Sequence, residues 1–250
     1  MEKEKKSKEA KIKLSPVLGN FENALRAWWK NLKKIVFIYL RGLLYALVPM
    51  AVIAILLTVN YFFGGRLGIG FRVVTIAIAA LGFLVSLYFF IRAYLGMFML
   101  VKHNYSGQEK TLFQETRQLF WPYIGLAFMT FLFVLPYFFL LIIPGIILSI
   151  LCSFTSYVLF FENKRGLEAI ARSVKLATGY FWPLLGRFLF IGVIVWVFSL
   201  LISIPLSLTD AGGLFNSIWS GVVQVISFLI GPIVLIYTYN IYKELVAIKK

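Results

Sequence analysis

Long apolar stretches alternate along this chain with short polar segments. Six stretches are long enough, or nearly so, to cross the ~30 Å hydrocarbon layer of a membrane as helices, which takes about 20 residues each. They cover approximately residues 36–62, 73–95, 119–143, 146–161, 181–207 and 214–241. The fourth is the shortest and reaches only ~24 Å at about 1.5 Å per residue. The pattern predicts an all-α, polytopic integral membrane protein whose six spans form three hairpins.

The polar segments on the two sides of the predicted spans differ in charge. The connections within the hairpins are short and carry few charges: a Gly-rich turn at 64–70, the pair Pro144-Gly145 and a turn around Asp210. Residues 1–34, 102–118, 162–180 and 241–250 lie on the other side and hold most of the 25 lysine and arginine residues. Because basic residues concentrate on the cytoplasmic side of membrane proteins, both termini are predicted to be cytoplasmic.

Two of the basic segments have the spacing of amphipathic helices. Residues 1–19 read as a disordered basic tail, and residues 20–250 as the membrane domain. From Asn20 onwards, Phe21, Ala24 and Trp28 recur at helical intervals with basic residues on the other sides. Residues 164–175 repeat this arrangement before the fifth span. Such helices are suited to lying in the headgroup layer on the cytoplasmic side.

An internal repeat relates the three hairpins. The sequence Phe-Trp-Pro at 120–122 recurs at 181–183, each time at the start of a span and after a basic connector. Pro122 and Pro183 suit the first turn of a helix, where no amide proton is needed. The chain is therefore predicted to contain three units of interfacial helix, span, tight turn and span. Since all three share one orientation, they differ from the inverted repeats of many secondary transporters.

Composition and charge exclude several classes of protein. The chain is 61% hydrophobic and 14% charged, whereas a soluble domain is about 45–50% apolar and about 25% charged. A soluble enzyme is excluded on this ground. The net charge of +15 is spread over the ends of apolar runs rather than gathered on one soluble face, so no nucleic-acid partner is predicted. The single cysteine, Cys152, cannot form an intramolecular disulfide.

Three arginines lie inside apolar stretches: Arg41, Arg92 and Arg187. A guanidinium at the bilayer centre costs about 2.5–3.5 kcal/mol, so such groups are usually paired or reach towards the interface. One interpretation is that each extends separately to cytoplasmic-side phosphates. The sharper hypothesis is that all three converge on one basic pocket at the inner leaflet, holding an anionic lipid headgroup or a partner's acidic residue. Glu162 is the candidate counter-charge.

The other polar groups in the spans are few. Asn60, Gln224 and Asn240 are candidates either for interhelical hydrogen bonds or for a polar path between helices. Small residues recur every four positions, as at Ser199 and Ser203. This spacing favours close helix packing within the chain, and a homo-oligomer interface is the alternative.

Catalytic chemistry has little support in the sequence. No acidic residue lies well inside a span, and the only histidine, His103, sits at a helix exit. No zinc-protease, nucleophile-elbow or phosphate-loop motif occurs. We therefore predict that the chain is not an enzyme and has no cofactor or metal site.

Residues 141–186 resemble a broad superfamily of prokaryotic six-span membrane proteins. The resemblance rests on the Pro144-Gly145 turn, the Phe161-Glu162 exit and the connector from Gly166 to Ser173, followed by Thr-Gly-Tyr-Phe-Trp at 178–182. The superfamily includes YciC-like inner-membrane proteins and the membrane domain found beside some glycerophosphoryl diester phosphodiesterases. The resemblance implies an all-helical protein of a prokaryotic plasma membrane. The phosphodiesterase activity belongs to a separate soluble domain, which we do not expect in this chain.

Together these features predict a non-enzymatic scaffold or accessory protein. Its basic cytoplasmic face would engage anionic lipid or other membrane proteins. The alternative is a small permease with a path between its helices, which a wet cavity lined by Asn60, Gln224 and Asn240 would favour.

Overall fold

Every regular element in the described part of the chain is a helix. The computed structural model describes residues 14–207 and 213–249. The helices are α1 Val17–Lys30, α2 Leu32–Lys102, α3 Glu109–Leu140, α4 Ile142–Leu151, α5 Thr155–Glu162, α6 Gly166–Ala177, α7 Phe181–Ser207 and α8 Leu214–Ile248. Residues 1–13 of the predicted tail and the predicted turn around Asp210 lie outside the described residues. Helix α1 begins at Val17, inside the range predicted to be disordered, and the Pro16 carbonyl accepts its first hydrogen bond.

Six segments of these helices are long and apolar enough to cross a membrane. They are Leu32–Phe63, Gly68–Lys102, Lys110–Phe139, Ile142–Glu162, Phe181–Pro205 and Ile218–Ile248. The predicted all-α fold with six spans is confirmed. The fourth segment is the one most enclosed by protein: 44% of its most apolar stretch is buried, against 6–17% in the other five. The shortest predicted span is therefore also the one that packs most extensively against other helices.

The chain divides into two compact units. We call residues 31–122 the hairpin unit, and the described residues of 1–30 and 123–250 the C-terminal unit. The hairpin unit contains α2 and the first part of α3. The C-terminal unit contains α1 and the remaining helices, and in it α1 packs on α8 while α6 packs on α4, α5 and α8.

The two spans of the hairpin unit are joined by a single non-helical residue. Helix α2 has 71 residues, and the only non-helical backbone in it is at Gly68, with φ +80° and ψ 174°. The sequence predicted a separate turn over 64–70. Glycine alone adopts this backbone conformation without a steric penalty, which lets the turn contract to one position.

Glycines bring the two arms of α2 into close contact. If a Cβ atom were built on three of them, it would overlap a side chain of the opposite arm. The overlaps are Gly42 with Ala93 (2.4 Å), Gly82 with Ile53 (2.9 Å) and Gly96 with Ile38 (2.8 Å). Lipid does not drive helices together as water does, so close backbone approach at small residues is what holds such a pair.

We expect Gly42→Ala to destabilise the protein by about 1–3 kcal/mol. The added methyl would lie 2.4 Å from the Ala93 Cβ, which has no flexible side chain to move away. Thermal unfolding of the full chain in detergent measures the loss. Gly125→Ala is the matched control, because nothing lies within 4 Å of its Cβ position. Equal melting temperatures for the two variants would contradict the close approach.

The middle copy of the predicted repeat differs from the third. Helix α3 runs without interruption from Glu109 to Leu140, so Pro122 lies inside a helix and the prediction that it occupies a first turn is wrong. Pro183 does lie in the first turn of α7. The two copies differ in the residues that precede the Phe-Trp-Pro motif. Before the third copy, Gly179 has φ +87° and separates α6 from α7, so that a new helix begins at the motif. No glycine precedes Trp121 in the same way.

The fourth span is interrupted between α4 and α5. In a continuous helix the Leu151 carbonyl would accept from the Thr155 amide, and the Phe154 amide would donate to the Ile150 carbonyl. Instead, Ser173 of α6 serves both groups: its hydroxyl donates to the Leu151 carbonyl at 2.7 Å and accepts from the Phe154 amide at 3.2 Å. Ser173 is 0% exposed. One side chain therefore satisfies two backbone groups that the interruption would otherwise leave without a partner.

Candidate anion-binding site

Arg92 lies in the second arm of α2, and all three of its guanidinium nitrogens are hydrogen-bonded. Nε donates to Thr116 Oγ1 at 2.9 Å, Nη2 to the Phe113 carbonyl at 2.6 Å and Nη1 to the Tyr88 hydroxyl at 3.4 Å. The first two acceptors belong to the start of α3. The residue is 8% exposed. These bonds fix the guanidinium between the two helices.

None of the groups that hold Arg92 is negatively charged. Among the described residues, no carboxylate forms an ion pair with Arg92. The guanidinium carbon lies 4.4 Å from the centre of the Phe113 ring and 5.4 Å from that of Tyr88. Aromatic faces attract a cation but leave its net charge in place. Arg92 therefore supplies an uncompensated positive charge to its surroundings.

A cavity of about 480 Å³ lies beside this guanidinium. We call it the Arg92 pocket. Its lining consists of Arg92, Arg117, Gln114 and Gln118 together with the rings of Tyr45, Phe89 and Phe113. All of these residues belong to the hairpin unit. The volume falls in the range of small-molecule sites, about 300–1,000 Å³. The donors in the lining suit a negatively charged group.

The sequence of α3 places the polar side of this pocket at the edge of an apolar run. Residues 119–140 contain no charged side chain and at about 1.5 Å per residue extend over about 33 Å, enough to cross the hydrocarbon layer. Gln114, Arg117 and Gln118 come directly before this run. These three residues lie within the first nine residues of the membrane-spanning segment Lys110–Phe139, so the polar lining lies towards one end of that span.

Arg41, the second predicted site residue, lies in the same unit. Its neighbour Gly42 is in contact with Ala93, the neighbour of Arg92. The Arg41 Nη1 atom is buried and has no hydrogen-bond partner among the described residues. The structure therefore brings the surroundings of Arg41 and Arg92 together where the two arms of α2 cross.

Arg187 belongs to the C-terminal unit and is 3% exposed. Its Nη1 lies 3.4 Å from Glu244 Oε2, and its Nη2 donates to the Ser15 carbonyl. Glu244 also accepts hydrogen bonds from the Ser15 amide at 3.2 Å and from Asn20 Nδ2 at 2.9 Å. Arg187 thus has a carboxylate partner within its own unit. That all three arginines share one pocket stays a prediction.

The partners of Glu162 and Arg187 in the structure differ from those that the sequence suggested. Glu162, the candidate counter-charge, accepts from Arg172 Nε at 2.9 Å and from the Tyr242 hydroxyl at 3.1 Å. Glu244 is the carboxylate that pairs with Arg187, and sequence reasoning missed it because it lies just beyond the predicted end of the sixth span. The scarcity of acidic residues, ten in the whole chain, is the signal that could have indicated it.

Lys249, after the end of α8, contacts the C-terminal end of α6. Its Nζ donates to the Lys175 carbonyl at 2.5 Å and to the Thr178 carbonyl at 2.6 Å. A cation here interacts favourably with the free carbonyls at a helix C-terminus. Burial, with the nearby charges of Arg172 and Lys175, lowers the pKa of Lys249 below its usual value.

The polar residues predicted to line a path are divided between the two units. Asn60 donates to Thr75 Oγ1 at 2.9 Å across the two arms of α2. Gln224 is exposed and Asn240 half-buried on α8, and at about 1.5 Å per residue they lie about 24 Å apart along its axis. Gln224 and Asn240 belong to the C-terminal unit and Asn60 to the hairpin unit.

Within residues 14–207 and 213–249, no three histidine, cysteine, aspartate or glutamate side chains come close enough to hold a metal ion. The donors that the site offers are thus those of arginine and glutamine, which suit an anion. Comparisons with protein-family models, with curated proteins and with solved structures find no match to this chain.

Proposed function

We propose that this chain is a non-enzymatic accessory protein of a prokaryotic plasma membrane that engages anionic lipid through basic helices on its cytoplasmic face. The resemblance of residues 141–186 to prokaryotic six-span proteins supports the cellular setting. The excess of basic residues at one end of the spans supports the orientation of the termini. The observation that carries the proposal is the outward surface of α1.

Helix α1 uses one side to pack on the protein. Asn20 and Ala24 are buried, and Trp28 Nε1 donates to the Leu229 carbonyl of α8 at 3.0 Å. These contacts fix the helix within the C-terminal unit. They also bury part of the apolar surface of α1. The apolar side chains that stay exposed on this helix are not explained by packing on the protein.

The opposite side of α1 exposes apolar and basic side chains together. Leu18, Leu25 and Trp29 are exposed, Trp29 to 72%. Lys30 lies exposed beside them, as does Arg26, which pairs with the exposed Glu22 at 2.6 Å. A helix with this surface is stable where apolar groups enter the acyl region and cations meet lipid phosphates. Trp182, exposed to a similar degree at the start of α7, is typical of the same interface.

Hydrogen exchange of α1 in lipid nanodiscs tests the proposal. We expect amide exchange in Val17–Lys30 to be about fivefold slower or more in discs with 30% phosphatidylglycerol than in pure phosphatidylcholine, because each basic residue near an anionic surface gains about 1 kcal/mol. The double substitution Arg26→Gln and Lys30→Gln should remove this difference. The charge-preserving pair Arg26→Lys and Lys30→Arg is the control and should retain it.

Equal exchange of wild-type α1 in both kinds of disc would refute anionic-lipid engagement by this helix. The permease alternative has less support. It requires Asn60, Gln224 and Asn240 to line a common path, and in the structure Asn60 is bonded within the hairpin while Gln224 is exposed on α8.

A further inference from the structure

We propose that the Arg92 pocket is a discrete binding site for a phosphate group with net negative charge. The inference rests on the proposed function and makes it specific: it names a site in the hairpin unit, separate from the surface of α1, and a chemical class of ligand. A lipid headgroup and a free phosphate share this chemistry, and the experiment below distinguishes them.

Arg92 retains donors for a ligand. A guanidinium has five N–H groups, and three hydrogen bonds to Thr116, Phe113 and Tyr88 occupy three of them. Because the side chain is held on several sides, it loses little rotamer freedom when a ligand binds. Its charge faces no carboxylate among the described residues, so an arriving anion gains the full electrostatic attraction in a partly buried setting.

Helix α3 supplies the other side of the pocket. Gln114, Arg117 and Gln118 are separated by three and four positions, so they share one face of the helix. Arg117 has no hydrogen-bond or ion-pair partner among the described residues. The acidic residue next in sequence to Gln114, Glu115, is 3.1 Å from His103 Nε2 and does not line the pocket.

Two guanidinium groups and two amides around one cavity match the acceptors of a phosphate, which binds arginine through paired hydrogen bonds. The rings of Tyr45 and Phe89 form an apolar side of the same cavity. A ligand with a charged head and an apolar continuation would use both parts of the lining.

The test measures phosphate-ligand binding to the full chain, stripped of lipid in a maltoside detergent. One arm titrates phosphatidylglycerol or phosphatidylcholine and counts bound lipids by native mass spectrometry. The second arm adds sodium phosphate, with sodium chloride of equal ionic strength as reference, and follows the melting temperature. The variants are Arg117→Gln, Arg92→Lys and the control Arg72→Gln, an exposed arginine of the same hairpin unit that does not line the pocket.

We expect Arg117→Gln to weaken phosphatidylglycerol binding about tenfold or more, with phosphatidylcholine binding unchanged, because a charge-assisted bidentate contact is lost. Arg92→Lys keeps the charge but loses the planar fork, and should also weaken binding. Arg72→Gln should change it less than twofold. A rise in melting temperature with sodium phosphate in the wild type, reduced in Arg117→Gln, would instead identify free phosphate as the ligand.

Arg117 is exposed, so its variant should fold even if the Arg92 variant does not. Indistinguishable behaviour of Arg117→Gln and Arg72→Gln in both arms would overturn the pocket. That result would leave the lipid-dependent exchange of α1 intact, so the two proposals fail separately.

Discussion

Ser173→Ala is expected to lower the free energy of unfolding by about 2–4 kcal/mol, because it leaves the buried Phe154 amide and the half-buried Leu151 carbonyl without a hydrogen-bond partner. The Leu151 carbonyl and the Phe154 amide both use the Ser173 hydroxyl at the break between α4 and α5. An unsatisfied backbone group is costly in a membrane, where hydrocarbon offers it no hydrogen-bond partner. Thermal unfolding of the full chain in detergent should show a fall of several degrees.

Ser149→Ala is the matched control for this substitution. The Ser149 hydroxyl donates to the Ile146 carbonyl of its own helix at 2.8 Å, and the residue is exposed. Removing it leaves no buried group unpaired, and we expect no measurable loss of stability. If the two alanine variants melted at the same temperature, the hydroxyl of Ser173 would not be supporting the interrupted span.

Glu244→Gln is expected to destabilise the protein by about 3–5 kcal/mol, because it leaves the charge of a buried arginine uncompensated. Arg187 is 3% exposed, and Glu244 is the carboxylate that faces it, at 3.4 Å. Loss of the carboxylate also weakens the contacts of Ser15 and Asn20. The same unfolding measurement detects the change, and proteolysis should release the segment before α1 more quickly.

Glu168→Gln tests whether the loss of stability depends on the burial of the ion pair. Glu168 pairs with Lys164 at 2.9 Å, but the pair lies on the surface, where such pairs contribute little. We expect this variant to have the same melting temperature as the wild type. Combining Glu244→Gln with Arg187→Met should recover part of the lost stability, since the unpaired charge is then absent. A double variant no more stable than Glu244→Gln alone would show that the ion pair is not the cause.

The spans were predictable because hydrocarbon imposes a length and a composition that a single sequence displays. The positions at which the helices are interrupted were harder to predict. The interruption after Leu151 lies among apolar residues, and the group that makes it tolerable, Ser173, is contributed by another helix. The joint at Gly68 was predicted as a longer turn because several glycines surround it, and only the backbone reveals which one departs from helical geometry.

Only some residues of the candidate site could be predicted from the sequence, because the others acquire their role through contacts between helices. Arg92 stands out in the sequence because a charge in an apolar stretch is costly. Arg117 and Gln114 do not stand out in the sequence, because charged and amide side chains are common in a basic connector. Their role arises only when α3 runs without a break from Glu109 and sets that connector against the second arm of α2. The continuity of α3 was the feature that the repeat led us to predict wrongly.

The one-residue joint at Gly68 has a consequence for the entropy of pairing the two arms. Bringing two helices together costs loop-closure entropy, and this cost grows with the length of the connecting segment. Because the non-helical backbone in α2 is confined to Gly68, little of that entropy is left to lose when Gly42, Gly82 and Gly96 meet the opposite arm. Nearly all of the free energy of these contacts is therefore available to hold the hairpin together.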